Sequence, residues 1–119
     1  MSLTVYQYPK CGTCRKALKW LDEHNLEYDS VHIVDNPPNQ TELKQVIERS
    51  DLPTKKFFNT SGKKYRELNL KERLPSMSED EQIELLASDG MLIKRPIVTD
   101  GEHVTVGFNE DTFDETWNS

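Results

Sequence analysis

The chain has 119 residues, about a third of them apolar, and a formal net charge of −6. That length fits one domain, residues 1–119, with a modest core, and the negative balance argues against direct nucleic-acid binding, which relies on lysine and arginine meeting phosphates. No apolar run approaches the roughly 20 residues of a membrane span, and the Met-Ser-Leu-Thr start lacks the basic and apolar regions of a secretory signal, so the expectation is a cytoplasmic monomer without membrane contact.

Leu3 to Tyr8 reads as a short strand, with Leu3 and Val5 alternating with polar neighbours. From Cys14 the period changes: Cys14, Ala17, Leu18 and Leu21 fall at the i, i+3, i+4, i+7 spacing of one helical face. Tyr28 to Val34 resumes a strand pattern, which Asn36-Pro37-Pro38 ends. Asn39 with Glu42 predicts a capped helix start, and Leu43, Val46 and Ile47 supply its buried stripe. Past Pro53, Lys55-Lys56-Phe57-Phe58 predicts one or two helical turns closed by Thr60-Ser61-Gly62. Tyr65, Leu68 and Leu70 mark an apolar anchor with a helical turn near Leu68.

Ser78 with Glu81 is a second capping-box signature, ahead of Ile83, Leu86 and Ala87, with Gly90 placed to end that helix. Ile97-Val98-Thr99 and Val104-Thr105-Val106 flank Asp100-Gly101 and predict a hairpin. Gly107-Phe108-Asn109 breaks its second strand, and Phe113 and Trp117 suggest a last helix, fraying at Ser119. The order β, α, β, helical segment, hairpin, helix implies two parallel strands joined by a right-handed crossover, with the hairpin adding antiparallel strands. This is an α/β, thioredoxin-like (glutaredoxin-like) mixed four-stranded sheet: a core of residues 1–38 and 91–119 and a helical insert of residues 39–90.

The chemistry sits at the first strand-to-helix junction. Cys11 and Cys14 are the only cysteines, and a lone Cys-x-x-Cys in a reducing compartment is more often catalytic or redox-sensing than structural. A helix start has free N–H groups and partial positive charge, which favour the thiolate, the reactive form. Cys11 precedes the helix and is the expected nucleophile; Cys14 shares the buried face and is the expected resolving thiol. The bland alternatives are half a zinc site and two inert buried cysteines. Zinc needs about four ligands, there is no second cysteine pair, and His24, His32 and His103 are scattered as ordinary polar residues. The pair calls for no metal and no cofactor, but for an external thiol reductant. In a thioredoxin-like fold the loop before the hairpin faces such a pair, so the Arg95–Pro96 bond is expected to be cis and to lie near Cys11.

Taken together, Cys11-Gly12-Thr13-Cys14-Arg15, Asn36-Pro37-Pro38, Tyr65-Arg66-Glu67-Leu68, Ile93-Lys94-Arg95-Pro96-Ile97 and Val106-Gly107-Phe108-Asn109-Glu110 resemble the ArsC/Spx family over nearly the whole chain. The resemblance implies a thioredoxin-like fold with a helical insert. It also implies one of two activities, glutaredoxin-coupled arsenate reduction or Spx-type regulation through RNA polymerase. Carried over, Cys11 matches the family nucleophile and Arg95 the arginine that helps bind an anion; Arg95 supplies permanent charge and planar donors suited to an oxyanion or thiolate. Arg15 is a further candidate for lowering the Cys11 pKa, and Pro96 for positioning the loop.

Three departures weigh on the choice. Asn59 and a residue near Gly107 stand where family reductases carry further arginines, and those reductases often have serine at the place of Cys14. Pro53 stands where Spx-type regulators carry a glycine used against polymerase. The first expectation is therefore a thiol–disulfide oxidoreductase acting on a thiol or disulfide substrate, with thioredoxin or a low-molecular-weight thiol as partner. An RNA-polymerase-binding redox regulator and an arsenate reductase are the alternatives.

Overall fold

The structure, a computed structural model, describes residues 3–118. Four strands form one mixed sheet in the order β2-β1-β3-β4, where β1 is Leu3–Gln7, β2 Tyr28–His32, β3 Ile97–Thr99 and β4 Val104–Val106. β1 and β2 run parallel, with Leu3 opposite Tyr28, so the chain must cross over between them, and α1 (Gly12–Glu23) is the crossover. β3 pairs antiparallel with β1, Tyr6 opposite Ile97, and with β4, Ile97 opposite Val106. Asp100 holds the hairpin turn: its Oδ1 accepts from the Glu102 and His103 N–H groups at 2.8 and 2.7 Å. Gly101 takes φ 97° there, a conformation open to a residue without Cβ. The thioredoxin-like α/β sheet read from the sequence is the sheet observed.

Side chains alternate across this sheet, as a strand period of two requires. Leu3, Val5 and Val98 face α1 and α6 (Glu110–Trp117), packing with Ala17, Trp20, Leu21, Phe113 and Trp117. Tyr6 and Ile97 face the other way, into the larger core made with the helical segment between β2 and β3. That segment contains α2 (Gln40–Ser50), α3 (Lys63–Glu67), α4 (Leu70–Arg73) and α5 (Glu79–Ser88), linked by short 3₁₀ turns at Thr54–Phe57, Leu74–Ser76 and Gly90–Leu92. Both capping boxes form. Asn39 Oδ1 accepts from Glu42 N–H at 2.8 Å and Glu42 Oε1 accepts from Asn39 N–H at 3.2 Å. Ser78 and Glu81 repeat the arrangement for α5. Among the described residues no helix is long and apolar enough to cross a membrane.

Two local expectations change. β2 stops at His32 rather than Val34, because the chain folds into a turn closed by Asn36 N–H on the His32 carbonyl at 2.8 Å. Ile33 reads as strand because it is fully buried, although it lies in that turn. Gly90 does not cap α5 in a left-handed conformation: α5 ends at Ser88, Asp89 is extended, and Gly90 opens the following turn. What requires glycine there is space, since a Cβ would overlap the Ile33 carbonyl, 2.7 Å from its carbon. The last helix forms as expected, capped by Asn109; the fraying expected at Ser119 lies outside the described residues.

Gly90→Ala should therefore destabilise the protein by about 1–3 kcal/mol, the usual cost of overpacking a filled interior. Gly12→Ala, where nothing lies within 4 Å, should stay within about 0.5 kcal/mol. Urea denaturation of the two variants measures the difference, and equal midpoints would refute the steric reading.

Candidate thiol site

Past β1 the chain turns through Tyr8 to Cys11, closed by Cys11 N–H donating to the Tyr8 carbonyl at 2.9 Å. Cys11 is the N-cap of α1. Its backbone is extended, and its Sγ accepts from Cys14 N–H at 3.3 Å, the position usually filled by a serine or aspartate oxygen. The helix thus starts at Gly12, two residues before the apolar period becomes visible. The sulfur rests against the unpaired N–H groups of the first turn, where negative charge is favoured. Cys11 is half-buried and Cys14 fully buried, and both are free thiols.

The two thiols are pushed in opposite directions. Burial raises Cys11, but hydrogen bonds from the Cys14 thiol and N–H, with the charge and hydrogen bond of Arg95, outweigh it and hold Cys11 below the ordinary cysteine value. Burial also raises Cys14, and there the hydrogen bond to Cys11 and the Cys11 charge add to it, so that Cys14 is pushed up to about 12. The geometry separates a thiol that ionises easily from one that does not.

Arg95 enters through a cis Arg95–Pro96 peptide bond, as expected. Its Nη1 donates to the Ile93 carbonyl at 3.4 Å, and its Cζ lies 5.1 Å from the centre of the Tyr8 ring, within cation–π range. Pro96 is buried and its carbonyl accepts from Gly107 N–H at 2.8 Å, tying β3 to the turn after β4. Arg15 is exposed and is not among the groups that lower Cys11; the cation acting on that sulfur is Arg95. Cys11, Cys14 and Arg95 are brought together, with Pro96 behind Arg95 and Arg15 apart.

Cys11 opens onto a cleft of about 560 Å³. One wall is Cys11 and Thr13, a second is Asn59 and Ser61 from the helical segment, a third is Lys94 and Arg95, and residues 106–109 complete it. The second and third walls are joined by one antiparallel bridge, Phe58 with Ile93. In it Asn59 N–H donates to the Leu92 carbonyl at 2.8 Å and Lys94 N–H to the Phe57 carbonyl at 2.7 Å. Phe57 and Phe58 are buried behind it.

Thr13, Ser61, Lys94, Phe108 and Asn109 were not legible as site residues. Thr13, Lys94, Phe108 and Asn109 lie within motifs that carry the family resemblance, which is the one signal available; Ser61 reaches the cleft through tertiary folding alone. The histidines are satisfied elsewhere. His24 stacks on Trp20 at 3.8 Å and donates from Nδ1 to its carbonyl, His32 packs edge-on to Tyr8, and His103 contacts Asp100 at 3.1 Å. Among the described residues no three His, Cys, Asp or Glu side chains stand together as a ligand set.

The chain resembles known proteins over nearly its whole length. The chain is 70% identical over 117 residues to the uncharacterised protein YusI of Bacillus subtilis strain 168, covering 98% of this chain and 99% of that one. It is 33% identical over 109 residues to the global transcriptional regulator Spx of Listeria innocua, covering 92% and 82%. Among solved structures, an ArsC-family-related protein from Bacteroides fragilis is 51% identical with a TM-score of 0.94, covering 97% of each chain. The arsenate reductase from Vibrio cholerae is 26% identical with a TM-score of 0.86, again covering 97% of each. The ArsC family model matches residues 6–116, and on that span and these likenesses the chain belongs to the ArsC family.

Proposed function

We propose that this protein is a cytoplasmic thiol–disulfide oxidoreductase in which Cys11 attacks a substrate disulfide and Cys14 resolves the product. The observation that carries the reading is the opposed displacement of the two thiols, Cys11 lowered at the mouth of a cleft and Cys14 raised beneath it. In the first step the Cys11 thiolate bonds to one substrate sulfur and the other leaves as a thiolate. That step also removes the Cys11 charge and the hydrogen bond it held from Cys14, two of the causes that keep Cys14 protonated. Cys14 then ionises more readily and attacks Cys11 Sγ, releasing the second thiol. The pair is left oxidised, and an external dithiol, or two equivalents of a monothiol, returns it to the reduced state. Resolution is in this way timed to follow capture.

A second reading draws on the 33% identity to Spx: the pair is a switch in a regulator, and its oxidation changes a surface met by RNA polymerase. Retention of polymerase by immobilised protein in one redox state would favour it, and equal failure in both states would end it. Arsenate reduction draws on the likeness to the Vibrio cholerae enzyme, against which stands Asn59 in place of an arginine.

Two measurements test the first reading. Because the Cys11 pKa is depressed, its thiolate persists as the pH falls through the range where an ordinary cysteine has already taken up a proton. Alkylation of the native protein, resolved by peptide mass spectrometry, should label Cys11 down to unusually low pH and leave Cys14 unlabelled until the chain is unfolded. Arg95→Ala removes a lowering influence and should slow Cys11 labelling at neutral pH by about three- to tenfold. In a separate assay, Cys14→Ser should accumulate a mixed disulfide on Cys11 when offered disulfide substrates, whereas Cys11→Ser should accumulate none. Equal trapping by both variants, or by neither, would refute the assigned roles.

A further inference from the structure

We infer that Lys94 forms an anion subsite in the Cys11 cleft, and that the substrates the pair acts on are small disulfides bearing a carboxylate. This inference rests on the thiol–disulfide reading above and adds the substrate class to it.

Four observations converge. The chain carries 21 acidic residues against 15 lysines and arginines, yet no carboxylate lines this cleft, while Lys94 and Arg95 both do. An anionic substrate is repelled by the molecule as a whole and needs such a local reversal of sign to approach the sulfur. Second, the two cations are differently engaged. Arg95 acts on Cys11, donates to the Ile93 carbonyl and lies over Tyr8. Lys94 makes no ion pair among the described residues.

Third, the Lys94 side chain, exposed to solvent, lies across Gly107 at the mouth of the cleft. A Cβ at position 107 would stand 3.1 Å from Lys94 Cε and 3.6 Å from its Nζ, so glycine at 107, at φ 81°, leaves the space in which the Lys94 side chain lies. Its backbone is fixed by the bond from Lys94 N–H to the Phe57 carbonyl. Fourth, a cleft of about 560 Å³ falls within the range of roughly 300–1,000 Å³ that holds small organic ligands and is far more than a lone tetrahedral oxyanion fills. Its remaining polar groups, Thr13, Asn59, Ser61 and Asn109, are neutral and suit the polar body of a small thiol.

In the reaction the carboxylate sits against the Lys94 ammonium while the adjacent sulfur meets the Cys11 thiolate. The Cys11–substrate S–S bond forms as the substrate S–S bond breaks, and the leaving thiolate carries away the electron pair and takes a proton from water. The ammonium is a docking charge and exchanges no proton in the step.

The test uses a matched pair of substrates, dithiodipropionate and its neutral diamide, on full-length protein carrying Cys14→Ser, so that capture is read as mixed disulfide on Cys11 by mass spectrometry. The measured quantity is the ratio of the two rate constants. A change in Cys11 ionisation scales both rates alike and leaves the ratio fixed. The parent should favour the dianion relative to a free thiol in solution. Lys94→Gln should lower that preference about three- to tenfold, as for an ion pair exposed to solvent, and Lys94→Glu should invert it. Lys44→Gln, on α2 and outside the cleft, makes the same change in net charge and should keep the parental ratio. Equal ratios in parent, Lys94→Gln and Lys94→Glu overturn the subsite and leave the oxidoreductase reading standing. Failure of both disulfides to modify Cys11 in any variant overturns the oxidoreductase reading and the subsite with it.

Discussion

The geometry of the thiol site depends on one small piece of backbone pairing, the bridge between Phe58 and Ile93. It joins the helical segment to the stretch that carries Arg95 into β3, and both partners are buried. Two flanking hydrogen bonds, Asn59 to Leu92 and Lys94 to Phe57, set the residues on either side in fixed register. Without it the sheet would still present Cys11 at the end of β1, but no second wall would face it. A buried peptide group left unpaired costs free energy comparable to a lost hydrogen bond, so the bridge and the packing of Phe57 and Phe58 hold each other in place.

On that frame, the difference between the cysteines follows from position more than from special neighbours. One residue caps the helix and the next turn carries the other. The cap sulfur takes N–H donation that favours its anion, while for the sulfur on the inner face burial and the first sulfur outweigh a backbone hydrogen bond with Tyr8 and the Arg95 charge. A single guanidinium then adds charge from across the turn. The lysine that follows more closely in sequence, Lys16, and its neighbour Arg15 point their charge to solvent, which shows why proximity along a helix is a poor guide to which cation acts on a thiolate: successive residues point about 100° apart around the axis.

Much of this was legible in the residues. The period switch at Cys14, the paired signatures Asn39 with Glu42 and Ser78 with Glu81, and Asp100-Gly101 between two β-branched runs each report local physics, and local physics decided those elements. The cleft was less legible because its walls come from four separated stretches, and nothing in Asn59 or Phe108 alone signals that they meet Cys11. Ile33 and Gly90 misled for a related reason. Burial makes Ile33 look like a continuing strand, and a glycine after a helix suggests a cap, whereas each answers to the other across the core.

That contact between Gly90 and the Ile33 carbonyl bears on how such a chain can diverge. The helical segment is clamped at its return by a position that admits no side chain, and near its middle by the Phe58 bridge. Between the clamps, the outward surfaces of α3 and α4 carry mostly exposed residues that neither clamp uses. A substitution on that exposed face costs the thiol geometry little, so the outer face is the part of the molecule open to acquiring new roles while the reactive centre stays as it is.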